Sequence, residues 1–464
     1  SQESPTTSNA ETPIVSRRNF ITTGAAAGGL AMAAPSIIKA QSSSDEINVG
    51  IIGIGEQGRV QIDATLPIKN VKFRAVCDIW NYSQRYGQRY LTRSGHEIPD
   101  DKVYEDYRKL LEDKSLDAIL IATPDFMHAP MTADALSAGK HVYCEKLMSN
   151  TVEGARKMVK ASQDTGNLLQ IGHQRRSNPR YLHAKNKLFN SKEKGGADIF
   201  GRITNANAQW NRAVSEDRTW PKKYVIDDAT LKKYGFKNMH EFRNWRWFKK
   251  LGGGPICDLG AHQIDIFNWF LDAKPKSVQA SGGVDYYDTH EWHDNVMAIY
   301  EFDTPEGVAR AFYQVLTTTS AGGGFFEYFM GDEGCMKISE IPRLTKIYRE
   351  ARAPEWDGWI ERNFIKQSAA AKKSADEEVK VDVRESAALV EYLLPVELKK
   401  KIHQPHLENF FEAVRMFGSD KKKAKAHLNC TGETALETTV TVLRVNDAIE
   451  AKKTIQFKDE DFKV

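Results

Sequence analysis

Cysteine is scarce and scattered in this chain. The five residues, Cys77, Cys144, Cys257, Cys335 and Cys430, form no CxxC pair and no metal-ligand spacing. An odd count excludes a complete disulfide framework. Most of the five sit in apolar runs, where a free buried thiol is the simpler reading. Charge of one sign is also lacking: 65 Lys and Arg stand against 62 Asp and Glu, a formal net charge of +3. That balance gives no reason to expect nucleic acid, and the basic run KKKAKAH at 421–427 reads as a solvated loop. No apolar run has the length of a membrane span. The nearest approach, GAAAGGLAMAAPSII at 24–38, is too short and too rich in glycine.

What is present begins with an address. Residues 16–22, SRRNFIT, set Arg17 and Arg18 ahead of Phe20, and Ala40 offers a small residue for cleavage after the Ala/Gly stretch. This resembles a twin-arginine signal, which carries folded proteins into the periplasm. An uncleaved membrane anchor is the alternative. Contact with a membrane is expected only in transit or through such an anchor. Residues 1–40 are therefore read as the signal and 41–46, QSSSDE, as a disordered lead-in. The chain of 464 residues, 41% hydrophobic and 27% charged, has ordinary globular composition and is too long for one core.

The stretch NVGIIGIGEQGRVQI, residues 48–62, organises the rest of the chain. A short apolar run breaks into Gly53, Gly55 and Gly58, with Ile54 and Gln57 between them. About twenty residues on, Asp78 ends a second apolar run, VKFRAVCD. This is the spacing of a dinucleotide-binding β-α-β unit. Gly53 permits the tight turn, Gly55 lets the backbone approach a pyrophosphate, and Gly58 lets the helix pack closely on the strand. Asp78 accepts hydrogen bonds from ribose hydroxyls and, as an anion where a 2′-phosphate would sit, favours NAD. Arg85 and Arg89 in the next helix keep NADP as the alternative. A glycine-rich turn without a ligand is the bland reading.

From 47 to 172 apolar strands alternate with helices, which implies a doubly wound parallel sheet covered on both faces. VYEDYRKLLED is expected as one short helix, and TVEGARKMVKASQDTG as a helix capped at Thr151. The strand ends, where ligands gather, carry Gly53, Asp78, Thr123, Pro124, Glu145, Lys146, His173 and Gln174. From 173 to 464 the texture changes. RITNANAQW, PKSVQASGGVDY, NVMAIYEF, GVARAFYQVLTTT and CMKISE have partial period-2 alternation, so the second domain is α/β with a large, mostly antiparallel open sheet. Residues 341–400 read as an insertion, with IKQSAAAKKSADEEVKV a solvated loop.

The order GIGEQG, ATPDFMHAP, CEK, GGGPICDLGAHQID and GETALETTV resembles the glucose-fructose oxidoreductase / inositol dehydrogenase (Gfo/Idh/MocA) family over essentially the whole chain beyond the signal. The resemblance implies a Rossmann domain followed by a domain whose open sheet covers the active site with one face and often mediates homo-oligomer contacts, dimer or tetramer, with the other. The family usually has Glu-Lys-Pro where this chain has Glu145, Lys146 and Leu147.

By that resemblance Lys146 is the catalytic lysine, holding the reacting hydroxyl, and His128 lies near the cofactor. Asp258 and His262 are four apart on a predicted helix, hence on one face, which Asp265 continues, while Ile264, Phe267 and Leu271 form the apolar one. A carboxylate behind an imidazole makes a base titrating near working pH, so His262 is the candidate to take the hydroxyl proton, with Asp258 orienting it. Gln174, Arg175 and Arg176 begin the second domain at the cleft, as substrate donors or as a domain-interface salt bridge. Trp245 and Arg246 in NWRWF either clamp a sugar or build core. His290, His293 and Asp294 in HEWHD lack a further ligand, so no metal is assigned. The expected function is NAD-dependent oxidation of a secondary hydroxyl on a sugar, glycoside or cyclitol. The alternatives are glycoside cleavage by transient oxidation and elimination, and a non-catalytic sugar-binding relative.

Overall fold

The computed structural model describes residues 46–368 and 389–464. The expectations for the export signal, for most of the lead-in and for the middle of the 341–400 segment lie outside the described residues.

Six strands form the first sheet: β1 Ile47–Ile52, β2 Val71–Cys77, β3 Val103–Tyr104, β4 Ala118–Ile121, β5 His141–Cys144 and β6 Leu169–Ile171. Their order is β3-β2-β1-β4-β5-β6 and every neighbouring pair is parallel. The order reverses between β1 and β4, so a crevice opens above their carboxyl ends. All four residues of β4 are buried, as a strand covered on both faces requires. Thr151 caps the helix Val152–Thr165 by accepting from the Gly154 N–H at 3.0 Å. VYEDYRKLLED divides, because its first two residues pair with β2 and only Tyr107–Leu111 is helical.

The second sheet has ten strands: β7 Ile203–Asn211, β8 Pro275–Gly283, β9 Asn295–Thr304, β10 Gly307–Leu316, β11 Phe325–Gly331, β12 Gly334–Ile338, β13 Lys346–Arg349, β14 Lys366–Gln367, β15 Val390–Leu393 and β16 Ile455–Gln456. Their order is β14-β15-β13-β12-β11-β7-β10-β9-β8-β16, antiparallel except for β7 with β10. β9 shows how the sheet is sided. Val296, Ala298, Tyr300 and Phe302 are buried against helices, while Met297 and Ile299 are 44% and 47% exposed on the outer face. β11 escapes alternation rules because FFEYFMG is apolar at every position except Glu327, and Glu327 is one of its fully buried residues. The 341–400 segment is not simply an insertion: β13, β14 and β15 extend the sheet's edge. KKKAKAH is a short helix, Lys421–His427, because Asp420 caps it.

The boundary expected at 172/173 is crossed by two helices. Gln404–Phe417 lays Leu407, Phe410 and Phe411 against Val49, Ile51 and Phe73 of the first sheet. Gly432–Ala451 is shared: Ala435, Leu436 and Val440 join the core under β4 to β6, and Val442, Val445 and Ala448 join the core of the second sheet.

Between the sheets lies a buried ionic seam. After β6 a tight turn, Gln174–Ser177, carries Arg175, which pairs with Glu327 of β11 and, at 3.0 Å, with Glu340. Arg176 grips Asp265 with contacts of 2.8–3.0 Å, and Thr438 donates to the same carboxylate at 2.7 Å. Burial pushes Glu327 up to about 7 even with Arg175 and Tyr181 on its oxygens. Removing one partner of such a set leaves a desolvated charge behind, so Arg175→Met is expected to cost about 3–5 kcal/mol. A urea titration checks this, and an unchanged midpoint would refute the seam as a structural tie.

Candidate active site

The carboxyl ends of the first sheet open on a cavity of about 1000 Å³ that runs on beneath the second sheet. Its first half is built around the glycine loop. Gly53 has φ +90°, and a Cβ there would meet the Ala122 carbonyl oxygen at 2.5 Å. A Cβ on Gly58 would lie 2.0 Å from the Gly53 oxygen, so the helix Glu56–Thr65 could not sit where it does. Gly55 has nothing within 4 Å of its missing Cβ, which leaves the loop backbone and the helix N-terminus open to the cavity. Asp78 holds the loop, accepting from Ile54 N–H at 2.7 Å and Trp80 N–H at 2.8 Å. Burial in the cavity wall raises its carboxyl to about 6, against the pull of those two bonds and of Arg59 and Arg243. These features fit a dinucleotide: an open anion-binding helix end, and a carboxylate at the ribose position. Arg85 and Arg89 are exposed and do not line the cavity; the guanidinium groups acting on Asp78 are Arg59 and Arg243.

Thr123 and Pro124 line the same wall. One turn further on, the His128 ring nitrogens lie 2.7 Å from the Leu147 carbonyl oxygen and 2.8 Å from that of Thr123. Burial lowers His128 to about 4, so the neutral ring donates to one carbonyl at a time. The Lys146–Leu147 peptide is cis, and Leu147 is buried in the core. Glu145 accepts from Gln57 at 3.0 Å and from Gln61, which fixes the strand end beside the lysine. Gln174 lines the cavity and donates to Glu340 at 3.1 Å.

Lys146, Asp258 and His262 come together at the cavity's turn, but not in the expected pairing. Lys146 donates to the Asp258 carbonyl oxygen, and its Nζ is 3.7 Å from the Asp258 carboxylate. Arg246 holds the same carboxylate at 3.1 Å. Burial alone would raise Asp258; Arg246, Lys146 and Arg212 instead hold it well below the usual carboxylate range. Asp258 therefore does not orient His262, because two cations outcompete a neutral imidazole for it. His262 stacks near Trp210, 5.5 Å between ring centres, with Nδ1 buried and unpartnered, so Nε2 is the nitrogen open to the cleft. Burial, with the cations Lys146 and Arg175, keeps its pKa well below the ordinary histidine value rather than near working pH. Asp265 is turned away to Arg176. Of the two readings of Arg175 and Arg176, the salt bridge holds and the substrate donor does not: both belong to the buried seam, since a guanidinium taken out of water needs carboxylates. Trp245 and Arg246 do line the cavity, with Arg246 lying 4.3 Å over the Trp245 ring.

A strap over the cofactor half has no counterpart among the sequence expectations. Residues 212–252 leave β7 and form two short helices, Asp228–Lys233 and Met239–Asn244, capped by Asp227 and Asn238. Leu231, Phe236, Met239 and Leu251 make an apolar cluster with Trp80, from the loop beyond β2, and Phe126, at the start of the helix that follows β4. Polar ties accompany it: Trp80 Nε1 donates to the Tyr224 oxygen at 2.6 Å, Tyr234 to Glu105 at 2.7 Å, and Arg218 pairs with Glu56 at 2.5 Å. The strap's far end is pinned where Asp217 accepts from His240 at 2.7 Å and His290 at 2.9 Å. His290 is thus held by the strap, and Asp294 accepts the N–H groups of 285–287. Among the described residues no group of His, Cys, Asp or Glu is arranged to hold a metal ion. Other cavity residues that sequence reasoning missed are Asp125, Trp210, Arg212, Phe325 and His403. The only signals for them were Asp125 inside ATPDFMHAP and the aromatic end of RITNANAQW.

Residues 47–173 match the GFO_IDH_MocA oxidoreductase family, NAD-binding Rossmann fold, and residues 197–335 match the GFO/IDH/MocA C-terminal domain. The chain is similar to inositol 2-dehydrogenase of Rubrobacter xylanophilus, 28% identical over 210 residues, 45% of this chain and 54% of that one. It is also similar to a glycosyl hydrolase family 109 protein of Shewanella baltica, 26% identical over 278 residues, 55% of this chain and 57% of that one. The chain thus spans about half the length of the curated relatives it matches. In fold it is similar to levoglucosan dehydrogenase in complex with NADH, with TM-score 0.62 at 16% identity, covering 89% of this chain and 99% of that one.

Asp78 sets the expected cofactor behaviour. Protein stripped of nucleotide should bind NAD+ more tightly than NADP+. NAD+ affinity should hold steady above pH 6 and fall as pH drops through about 6, where the Asp78 carboxylate is protonated and ceases to be a charged acceptor. Asp78→Ser should remove that step and, with Arg59 and Arg243 left facing the ribose, narrow the preference by about tenfold or more. Calorimetric titrations across pH check both; a wild-type preference for NADP+ would contradict the role given to Asp78.

Proposed function

Because the chain belongs to the GFO/IDH/MocA oxidoreductase family and carries its NAD-binding Rossmann fold, we propose that it acts on a secondary hydroxyl of a sugar, glycoside or cyclitol. The observation that carries this reading is the convergence of Lys146, Asp258 and His262 at the inner end of the dinucleotide cleft. NAD, when bound, supplies the hydride acceptor. The Lys146 ammonium, held by the Asp258 carbonyl, donates to the substrate oxygen and stabilises the charge that grows on it. His262, kept neutral by burial and neighbouring cations, accepts the hydroxyl proton at Nε2. A base of such low affinity for protons needs the hydroxyl acidified, which is the part given to Lys146. Asp258 positions that lysine and, through Arg246, the strap.

The strap favours a cofactor that stays bound and is reoxidised in place, with a second sugar as acceptor. The similarity to a glycosyl hydrolase family 109 protein supports a second reading. In it, transient oxidation makes the neighbouring C–H acidic, elimination breaks the glycosidic bond, and the electrons return to the same sugar. Either cycle suits a protein exported folded behind the Arg17–Arg18 signal, as proposed from the sequence. A homo-oligomer formed through the outer face of the second sheet, where Met297 and Ile299 are exposed, is the matching proposal for assembly.

Three outcomes test these readings. Lys146→Ala and His262→Ala should each lower kcat by about 10²–10⁴, the range of general acid–base contributions, with dinucleotide binding kept in His262→Ala. Turnover near wild type in His262→Ala would remove it from the mechanism. Purified protein should carry nucleotide through gel filtration and turn over without any added; an empty protein working only with exogenous NAD+ would overturn the redox-neutral cycle. On a glycoside panel, sugar released without net NADH indicates cleavage, oxidised sugar indicates dehydrogenation or transfer, and neither outcome refutes catalysis.

A further inference from the structure

Among the described residues, Arg212, Lys233 and Arg243 line the cavity without a carboxylate in direct contact; Lys233 and Arg243 belong to the strap over the cofactor half, and Arg212 lies beside Trp210. Lys146 and Arg246 share Asp258, Arg218 has Glu56, and Glu340 is held by Arg175 and Gln174. Arg212, at the end of β7, lines the cavity, and among the described residues its side chain makes no hydrogen bond or ion pair. Its guanidinium lies 5.2 Å over the ring of Trp210. Trp210 in turn stacks on Phe325 at 4.4 Å, a cross-strand pair of β7 and β11 that faces the cavity. The Trp210 ring centre is 5.5 Å from that of His262. Arg212 also belongs to the field of the reacting centre, as one of the three cations that hold Asp258 down.

We propose that the substrate is an acidic sugar whose carboxylate is bound by Arg212 while the ring lies against Trp210. The proposal rests on the sugar-oxidising reading above and gives its substrate class. Trp210, backed by the stacked Phe325, offers an aromatic face to the C–H face of a pyranose. The exposed Arg212 guanidinium lies 5.2 Å from the Trp210 ring centre, and its fork of donors can match a carboxylate with two parallel hydrogen bonds. The path from Arg212 over Trp210 to His262 is short enough for one hexose ring, with its exocyclic carboxylate at Arg212 and a ring hydroxyl at His262 and Lys146. Charge selects the carboxylate over a phosphate. One guanidinium balances one negative charge, and the next cation, Arg246, is already engaged by Asp258.

The test uses the full chain with its dinucleotide bound. Glucuronate, galacturonate and mannuronate are titrated against the matching neutral hexoses and hexose 6-phosphates by calorimetry, with product analysis alongside. At least one uronate should bind about tenfold or more tightly than its neutral partner, as a charge-assisted pair predicts. Arg212→Gln should erase that difference by weakening the uronate more than its neutral partner; Arg212→Lys should restore part of it. The Arg212 side chain makes no hydrogen bond or ion pair among the described residues, so these variants should fold as wild type, which the thermal midpoint verifies. Equal affinity for acid and neutral sugar, a preference for the 6-phosphate, no binding by any uronate, or a preference that survives Arg212→Gln each overturns the proposal. Failure of the underlying reading looks different: neither acidic nor neutral sugar is oxidised or rearranged on the loaded protein.

Discussion

A half-buried carboxylate at the meeting of three segments governs this site. Asp258 sits in a wide helical turn, Ile256–Gly260, just ahead of the helix Ala261–Leu271, and faces the cavity. A partly desolvated carboxylate is favoured where positive charge is brought to it. The charge comes from two places that are distant in sequence: Lys146 at the end of β5, and Arg246 in the strap. The need to neutralise one anion therefore fixes the reach of the lysine, the closure of the strap and the separation of His262 from its expected partner. Lys146 is held by the carbonyl of the same residue, which leaves its remaining donors free for a substrate oxygen.

The buried seam makes the same demand on a larger scale. Arg175 and Arg176 leave the last strand of the first sheet and end on Glu327, Glu340 and Asp265, all from the second half of the chain. Gly432–Ala451 then packs one face into each core. The two halves are joined by desolvated charge and by a shared helix, so the cleft between them is not opened by a simple hinge. The strap covers the dinucleotide half of the cavity. Its apolar cluster around Trp80 and Phe126 is small beside the two sheet cores, and its short capped helices make it the natural element to open locally.

The parallel sheet and its glycine loop were legible because their constraints are local. Gly53 must turn, Gly58 must admit a helix, and strands buried on both faces read as apolar runs. The antiparallel sheet was legible wherever one face met solvent, as in β9. β11 was not, because its lone polar residue, Glu327, is buried as the counter-ion of an arginine 152 positions away. The same distance effect explains the misread charges. Helical spacing put Asp258 beside His262, and strand-end position left Arg175 between a substrate donor and an interface salt bridge, because neither rule knows which opposite charge the fold will deliver. The strap was missed for a different reason: its helices are six residues each, and their apolar side chains find partners only in segments that follow strands of the first sheet.

These misreadings have a common direction, and it bears on mechanism. Where the sequence suggested a carboxylate-backed imidazole, the fold supplies an imidazole with no carboxylate and with cations around it. Such a group is reluctant to hold a proton, so in the proposed reaction it cannot drive the ionisation of a hydroxyl by its own basicity. The ammonium beside it can, by stabilising the alkoxide before the proton has fully moved. The same cations favour negative charge on a ligand, and Arg212, without an ion pair among the described residues, adds to that field.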